Sequence, residues 1–142
     1  MTSQVSHVIK DIWLRSRASD VYKIILMKSG FVFNPVTHKT YADVSASELD
    51  TDFGYIHGGN ILAGAAVSID EADNSARLTF NETAWTANGG NLIASGAIIF
   101  NDSLTLAVDG YEDGIVDYID FGSNQNAESG KVLKIQNIYI KL

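Results

Sequence analysis

After Trp13 the apolar residues of this 142-residue chain never recur at three-and-four spacing over a useful length; where they recur regularly, they do so at every second position. Period two is the spacing of a strand with one buried face, so most of the chain is committed to sheet. The clearest case follows "GYIHGGNILAGAAVSID", residues 54–70. Past Gly58 and Gly59, the residues Ile61, Ala63, Ala65, Val67 and Ile69 share one face, and Asp70 to Ser75 reads as a turn. Ala76, Leu78 and Phe80 then alternate with Arg77, Thr79 and Asn81. A hairpin of 61–69 with 76–80 is expected. The glycine pair precedes a strand, whereas a phosphate loop needs glycines before a helix. Gly58 and Gly59 are therefore expected to turn the chain sharply, with His57 a loop residue and not a ligand.

Other segments extend the pattern. "VYKIILMK" is apolar on both faces, as a central strand is. "NLIASGAIIF" and "GIVDYIDFG" are further strands, separated by "NDSLTLAVDGYED", part of which is expected to be extended. In the final "KVLKIQNIYIKL" the alternation slips near Asn137, which predicts a β-bulge that shifts the inward face by one residue. Phe80, Trp85 and Phe100 are the expected core fillers, and the small residues Gly64, Ala65, Ala66, Ala94 and Gly96 would permit close approach. Ahead of all this, Val5, Val8, Ile9, Ile12 and Trp13 fall at i, i+3, i+4, i+7 and i+8, which predicts an amphipathic helix over 4–16 with Ser3 or Ser6 as N-cap. The fold class is mainly β: a single-domain antiparallel β-sandwich or flattened barrel, residues 21–142, preceded by a short N-terminal helix or arm, residues 1–20.

Apolar residues make up 46% of the chain, enough for one core, and there is no cysteine to supply a disulfide or a thiolate metal site. No apolar run approaches the roughly 18 residues of a membrane span, and no signal-peptide pattern opens the chain, so a soluble, unexported product is expected. The net charge of −7 is unevenly spread. Residues 1–41 carry six Lys/Arg against two Asp/Glu, residues 42–130 one against fifteen, and residues 131–142 three against none. An acidic body without a basic stripe argues against nucleic-acid binding. The basic termini could seat on an acidic partner.

Catalytic signatures are missing. His7, His38 and His57 lack the helical i, i+4 spacing of a zinc pair, and Ser95 in "ASGA" sits inside a strand without a nucleophile-elbow motif. Asp70, Glu71 and Asp73, and again Asp109, Glu112, Asp113 and Asp117, are rich in oxygen ligands but miss the EF-hand register. No cofactor, metal or enzymatic role is expected. Two binding readings stay open: a calcium-dependent loop over 109–117, and a sugar-binding surface built on Tyr41, Tyr55, Tyr111 and Tyr118.

The ordered segments "KIILMKSGFVFNPVTHKTYADVSASEL", "GYIHGGNILAGAAVSIDEADNSARLTFNETAWTANGG", "GAIIFND" and "YIDFGSNQNAESG" resemble a family of small β-rich structural proteins of tailed bacteriophages. Thr37, His38, Tyr41, Ala42, Asp43 and Val44 fill its "THxTYADVSAxEL" block, and Trp85, Thr86, Gly89 and Gly90 its "WTASGG"-like turn; Phe100 stands where that pattern often has tyrosine. The resemblance covers roughly residues 21–142. It implies a virion component without enzymatic activity: a head decoration (cement) protein bound to the major capsid protein, or a neck or tail attachment protein. It also implies a homo-oligomer, with a trimer favoured by analogy to other decoration proteins, no nucleic acid or membrane partner, and assembly in the host cytoplasm. A glycan- or receptor-binding module on the virion is the alternative from another class. Within the N-terminal helix, Ile9, Ile12, Trp13, Arg15 and Arg17 are the expected partner-binding residues, because interface anchors favour Trp and Arg. Capping an open end of the sandwich is the competing role for that helix.

Overall fold

In the computed structural model, which describes residues 1–103 and 111–142, β1 (Tyr22–Met27) runs inside a four-stranded sheet of order β2-β1-β6-β7, with β2 at Asn60–Ile61, β6 at Leu92–Asn101 and β7 at Ile115–Ala127. A three-stranded sheet follows the order β3-β4-β9, with β3 at Ala66–Asp70, β4 at Ser75–Phe80 and β9 at Ile138–Lys141. A two-stranded sheet joins β5 (Thr83–Thr86) to β8 (Val132–Ile135). Among the described residues every pairing is antiparallel, the fold is mainly β, and no sheet closes into a barrel.

Why "YKIILM" is apolar on both faces is now explained. Ile24 and Leu26 point into the main core, with Leu78, Phe80, Trp85, Ala97, Ile99 and Ile140. Ile25 and Met27 point the other way, into a second cluster with Val44, Ile98 and Phe100, roofed by Phe31, Phe33, Tyr41 and Tyr118. Apart from Tyr118 of β7, that roof is the segment between β1 and β2. It contains a one-turn helix α2 (Tyr41–Val44) and a 3-10 turn at Ser45–Ser47. Asp43 starts α2 in a capping box: its Oδ2 accepts from Lys39 N at 2.9 Å and Thr40 N at 3.0 Å, which holds its carboxyl below the usual range. Phe80, Trp85 and Phe100 fill the core as expected, at 8%, 4% and 2% exposure.

The hairpin forms between β3 and β4, with Val67 opposite Leu78 and Ile69 opposite Ala76. Its first strand is shorter than the alternation predicts. Asn60 and Ile61 pair with β1 instead, and Leu62, not Ile61, is buried. Gly64, at φ +72, breaks the alternation, so the expected continuous face from Ile61 to Ile69 divides between two sheets, and Ala65 and Ala66 stay exposed. The expected bulge at Asn137 is also corrected. Its φ of +55 marks the point where the chain leaves β8, paired with β5, and enters β9, paired with β4. The inward face does shift by one residue, from Leu133 and Ile135 to Ile138 and Ile140, because the strand changes sheets. The β6–β7 pairing skips between Ala94 and Gly96, and there a Cβ on Gly96 would lie 2.7 Å from the Ile119 carbonyl oxygen. Ser95 beside it has a packing role: its Oγ donates to the Lys28 carbonyl at 2.8 Å.

The N-terminal helix α1 spans His7–Arg17. Ser6 is its N-cap, its side chain accepting from Val8 N at 3.2 Å, and Arg15 and Arg17 lie in the last turn, where cations suit the helix dipole. The helix packs on β3 and β4.

Candidate functional site

Several places among the described residues depart from the rule that apolar groups go in and charges go out, with Val32, Val36 and Ile61 among the exposed apolar side chains. The first is Glu48, which is wholly buried. The residues around it come from the roof segment. Ser47 and Leu49 tie that segment to the end of β1, through Lys28 N to Ser47 O at 2.8 Å and Leu49 N to Leu26 O at 3.0 Å, so Glu48 is carried over Met27. Its Oε1 accepts from Tyr41 Oη at 2.5 Å and faces His57 Nε2 at 3.3 Å. Its Oε2 accepts from Tyr55 Oη at 2.5 Å and from Gly58 N at 2.7 Å. Tyr55 Oη in turn accepts from Leu26 N at 3.1 Å, and His57 Nδ1 lies 3.0 Å from the Leu49 carbonyl oxygen. A carbonyl only accepts, so Nδ1 carries a proton in this contact.

Burial raises the Tyr55 and Tyr41 hydroxyls well above the ordinary phenol range, and donation to Glu48 adds to it, so both remain neutral donors. A carboxyl group has about four acceptor sites, and three donors, Tyr41 Oη, Tyr55 Oη and Gly58 N, occupy them here, with the His57 ring beside Oε1. Glu48 is thus a buried, hydrogen-bonded side chain with no accessible oxygen, which suits a clamp. The glycine pair completes it. Gly58 supplies a backbone donor, and at Gly59, φ +73, a Cβ would fall 2.0 Å from the Ile24 carbonyl oxygen. The turn expected there is present, and His57 has a structural partner.

The sequence concealed this cluster. Tyr41 and Tyr55, grouped above as exposed aromatics, are spent inside: Tyr55 is 1% exposed and Tyr41 stacks on Phe100 at 4.7 Å. Tyr118 packs against Phe33 at 5.0 Å, which leaves Tyr111 as the exposed member of that set. A signal was available in retrospect: Tyr41 and Tyr55 each stand seven residues from Glu48.

The second departure is α1. Leu14 is its buried side chain and belongs to the main core, with the half-buried Ala18 against it. Lys10 Nζ donates to Asn74 O at 2.7 Å, and Asn74 Nδ2 donates to Val5 O at 3.0 Å, which pins the helix to the β3–β4 turn. The stripe that predicted the helix faces the other way. Val5, Val8, Ile9, Ile12 and Trp13 are 49%, 52%, 42%, 52% and 60% exposed. Of the expected partner-binding residues, Ile9, Ile12 and Trp13 share this outer face. Arg15 borders one edge, paired with Asp11 at 2.9 Å, and Arg17 the other, 3.4 Å from Asp20.

Little else converges. Among the described residues the groove between α1 and β7, about 790 Å³, is lined mainly by apolar and aromatic side chains such as Trp13, Leu14, Tyr22, Phe33 and Tyr118. Burial raises the Asp117 carboxyl on its wall, and that carboxyl accepts from Tyr118 N at 2.9 Å. Among the described residues no group of three or more His, Asp or Glu is placed to hold a metal ion, and no helix is long and apolar enough to cross a membrane. Asp109, the first acid of the expected calcium loop, lies outside the described residues. No family model matches the chain, and neither a curated protein nor a solved structure does.

Proposed function

We propose that this chain is a non-enzymatic assembly protein, most concretely a structural component of a tailed-phage particle that decorates the head by docking on the major capsid protein. The observation that carries the assembly role is the outer face of α1: Val8, Ile9, Ile12 and Trp13, continued by Val5 just ahead of the cap, are each about half exposed, on a helix already held in place by Leu14 and the Asn74 contacts. An apolar stripe of that kind on an ordered helix marks a protein-binding surface, because leaving it wet forfeits the burial that such side chains supply elsewhere. Pre-ordering lowers the entropy cost of docking. The closed, satisfied state of Glu48 supports the non-enzymatic side of the proposal. The phage assignment rests on the ordered sequence blocks described above.

Quantitative mass spectrometry of purified particles from the encoding phage tests this reading. The chain is expected in many copies, at a fixed ratio to the major capsid protein. A trace amount that washes away would overturn it, and a copy number of about a dozen or fewer would move the protein from the shell to the neck or tail.

A further inference from the structure

The same outer face permits a narrower statement about what covers it, one that rests on the reading of the chain as an assembly protein. We infer that the outer face of α1 in one copy docks on the loop 50–56 of a second copy, in a head-to-tail contact.

Charge selects between the ways two copies can meet. Helix α1 carries Lys10, Arg15 and Arg17 against Asp11 alone, so pairing α1 with α1 would bring like charges together. The body between residues 42 and 130 is the complement, since it holds fifteen acids and one arginine. Within that acidic body the loop 50–56 offers the matching chemistry. Ile56 is 71% exposed and Phe53 41%, between Asp50, whose side chain is 81% exposed, and the exposed Asp52. Lys28 Nζ reaches Asp50 at 3.3 Å.

The loop is also rigid. Asp52 and Tyr55 exchange backbone hydrogen bonds at 3.0 and 2.9 Å, Asn88 N donates to Phe53 O at 3.0 Å, and Tyr55 is fixed by Glu48. The buried clamp thereby holds the acceptor patch in shape, as pre-formed docking surfaces require.

Helix α1 lies on β3 and β4, whereas the loop lies against the backbone of Thr86 at the end of β5 and against Gly90 after it. Two different patches meeting between copies make a heterologous contact, which closes into a ring when the rotation permits. Val5 and the four outer side chains of α1 expose on the order of a few hundred Å², against about 800 Å² per partner in a standard interface. The contact accordingly extends past them to the flanking arginines and the loop's carboxylates.

Sedimentation velocity on the purified full chain tests the inference without reference to any particle. The wild type should associate at micromolar concentration and should loosen as salt is raised. Ile12→Asp with Trp13→Asp should be monomeric, and so should Ile56→Asp, each with an unchanged circular dichroism spectrum and urea midpoint. The mixture decides the geometry. One variant keeps an intact loop and the other an intact helix, so combining the two should restore a single interface and produce a heterodimer. If either aspartate variant misfolds, the alanine versions should weaken association at least about tenfold, roughly the loss of one hot-spot residue. A wild type that stays monomeric, an association that survives both variants, or two monomeric variants that fail to recombine would each overturn the proposal. Particle incorporation by a wild type that is monomeric in solution would leave the assembly reading standing and remove this one, and a ring that never enters particles would do the reverse.

Discussion

Glu48 and the outer face of α1 hold opposite kinds of misplaced side chain, a charge in the core and apolar groups in water. The difference between them lies in compensation. Around Glu48 the chain supplies every missing interaction itself, through two tyrosines, a histidine and a backbone N–H drawn from one segment. On α1 the chain compensates only the inner side, with Leu14, and leaves the outer stripe without cover among the described residues. A buried polar group that is satisfied serves stability, whereas an ordered apolar face that is not satisfied serves association.

That contrast can be broken at several points, the largest effect first. Glu48→Ala should cost at least about 3 kcal/mol in urea unfolding, because it strands three donors in a dry site and opens a cavity. A loss under about 1 kcal/mol would mean that the cluster is not a clamp. Leu14→Ala, on the buried side of α1, should cost about 2–3 kcal/mol. Should it cost nothing, the helix would not be docked on the β3–β4 hairpin. Tyr55→Phe removes one donor to Glu48 and leaves Leu26 N unpaired, for about 1–2 kcal/mol. On the outer side, Ile12→Asp with Trp13→Asp should stay within about 0.5 kcal/mol of wild type while association is lost, so stability and assembly separate on one helix.

The smallest effect is electrostatic. Lys141 Nζ lies 2.7 Å from Asp73 Oδ2, and this contact, with the Ser75 hydroxyl, holds the Asp73 carboxyl below its usual range. A depressed folded value stabilises above the unfolded value, about 3.9, and is lost as pH falls through the folded one. Wild type should therefore exceed Asp73→Asn in melting temperature near neutral pH, with the gap closing below about pH 4. A gap that persists there would assign the difference to packing.

Much of the fold was legible because period and burial are the same fact seen twice. The two-faced run of β1, the Ala76-Leu78-Phe80 alternation and the Asp70–Ser75 turn all appear where the pattern put them. What failed to read were changes of sheet. At Gly64 and Asn137 a single left-handed residue redirects the strand, and local alternation looks alike whether the chain bulges or leaves. Glu48 was illegible for another reason. A glutamate in "SASEL" has the composition of a solvated turn, and its burial depends on partners that only tertiary structure gathers. For α1 the stripe was visible but its direction was not, since periodicity defines a face without saying what lies against it. Leu14 and Ala18, outside the stripe, decide that.

The central claim is that protein covers the outer face of α1 when this chain does its work. Under the proposed phage assignment, the direct measurement is a cryo-EM reconstruction of the virions, at a resolution that shows side chains. The account predicts density for this β body in many copies, with Ile12 and Trp13 of each buried against a neighbouring chain. Well-ordered copies in which that face looks into solvent, or particles with no such density, would contradict it.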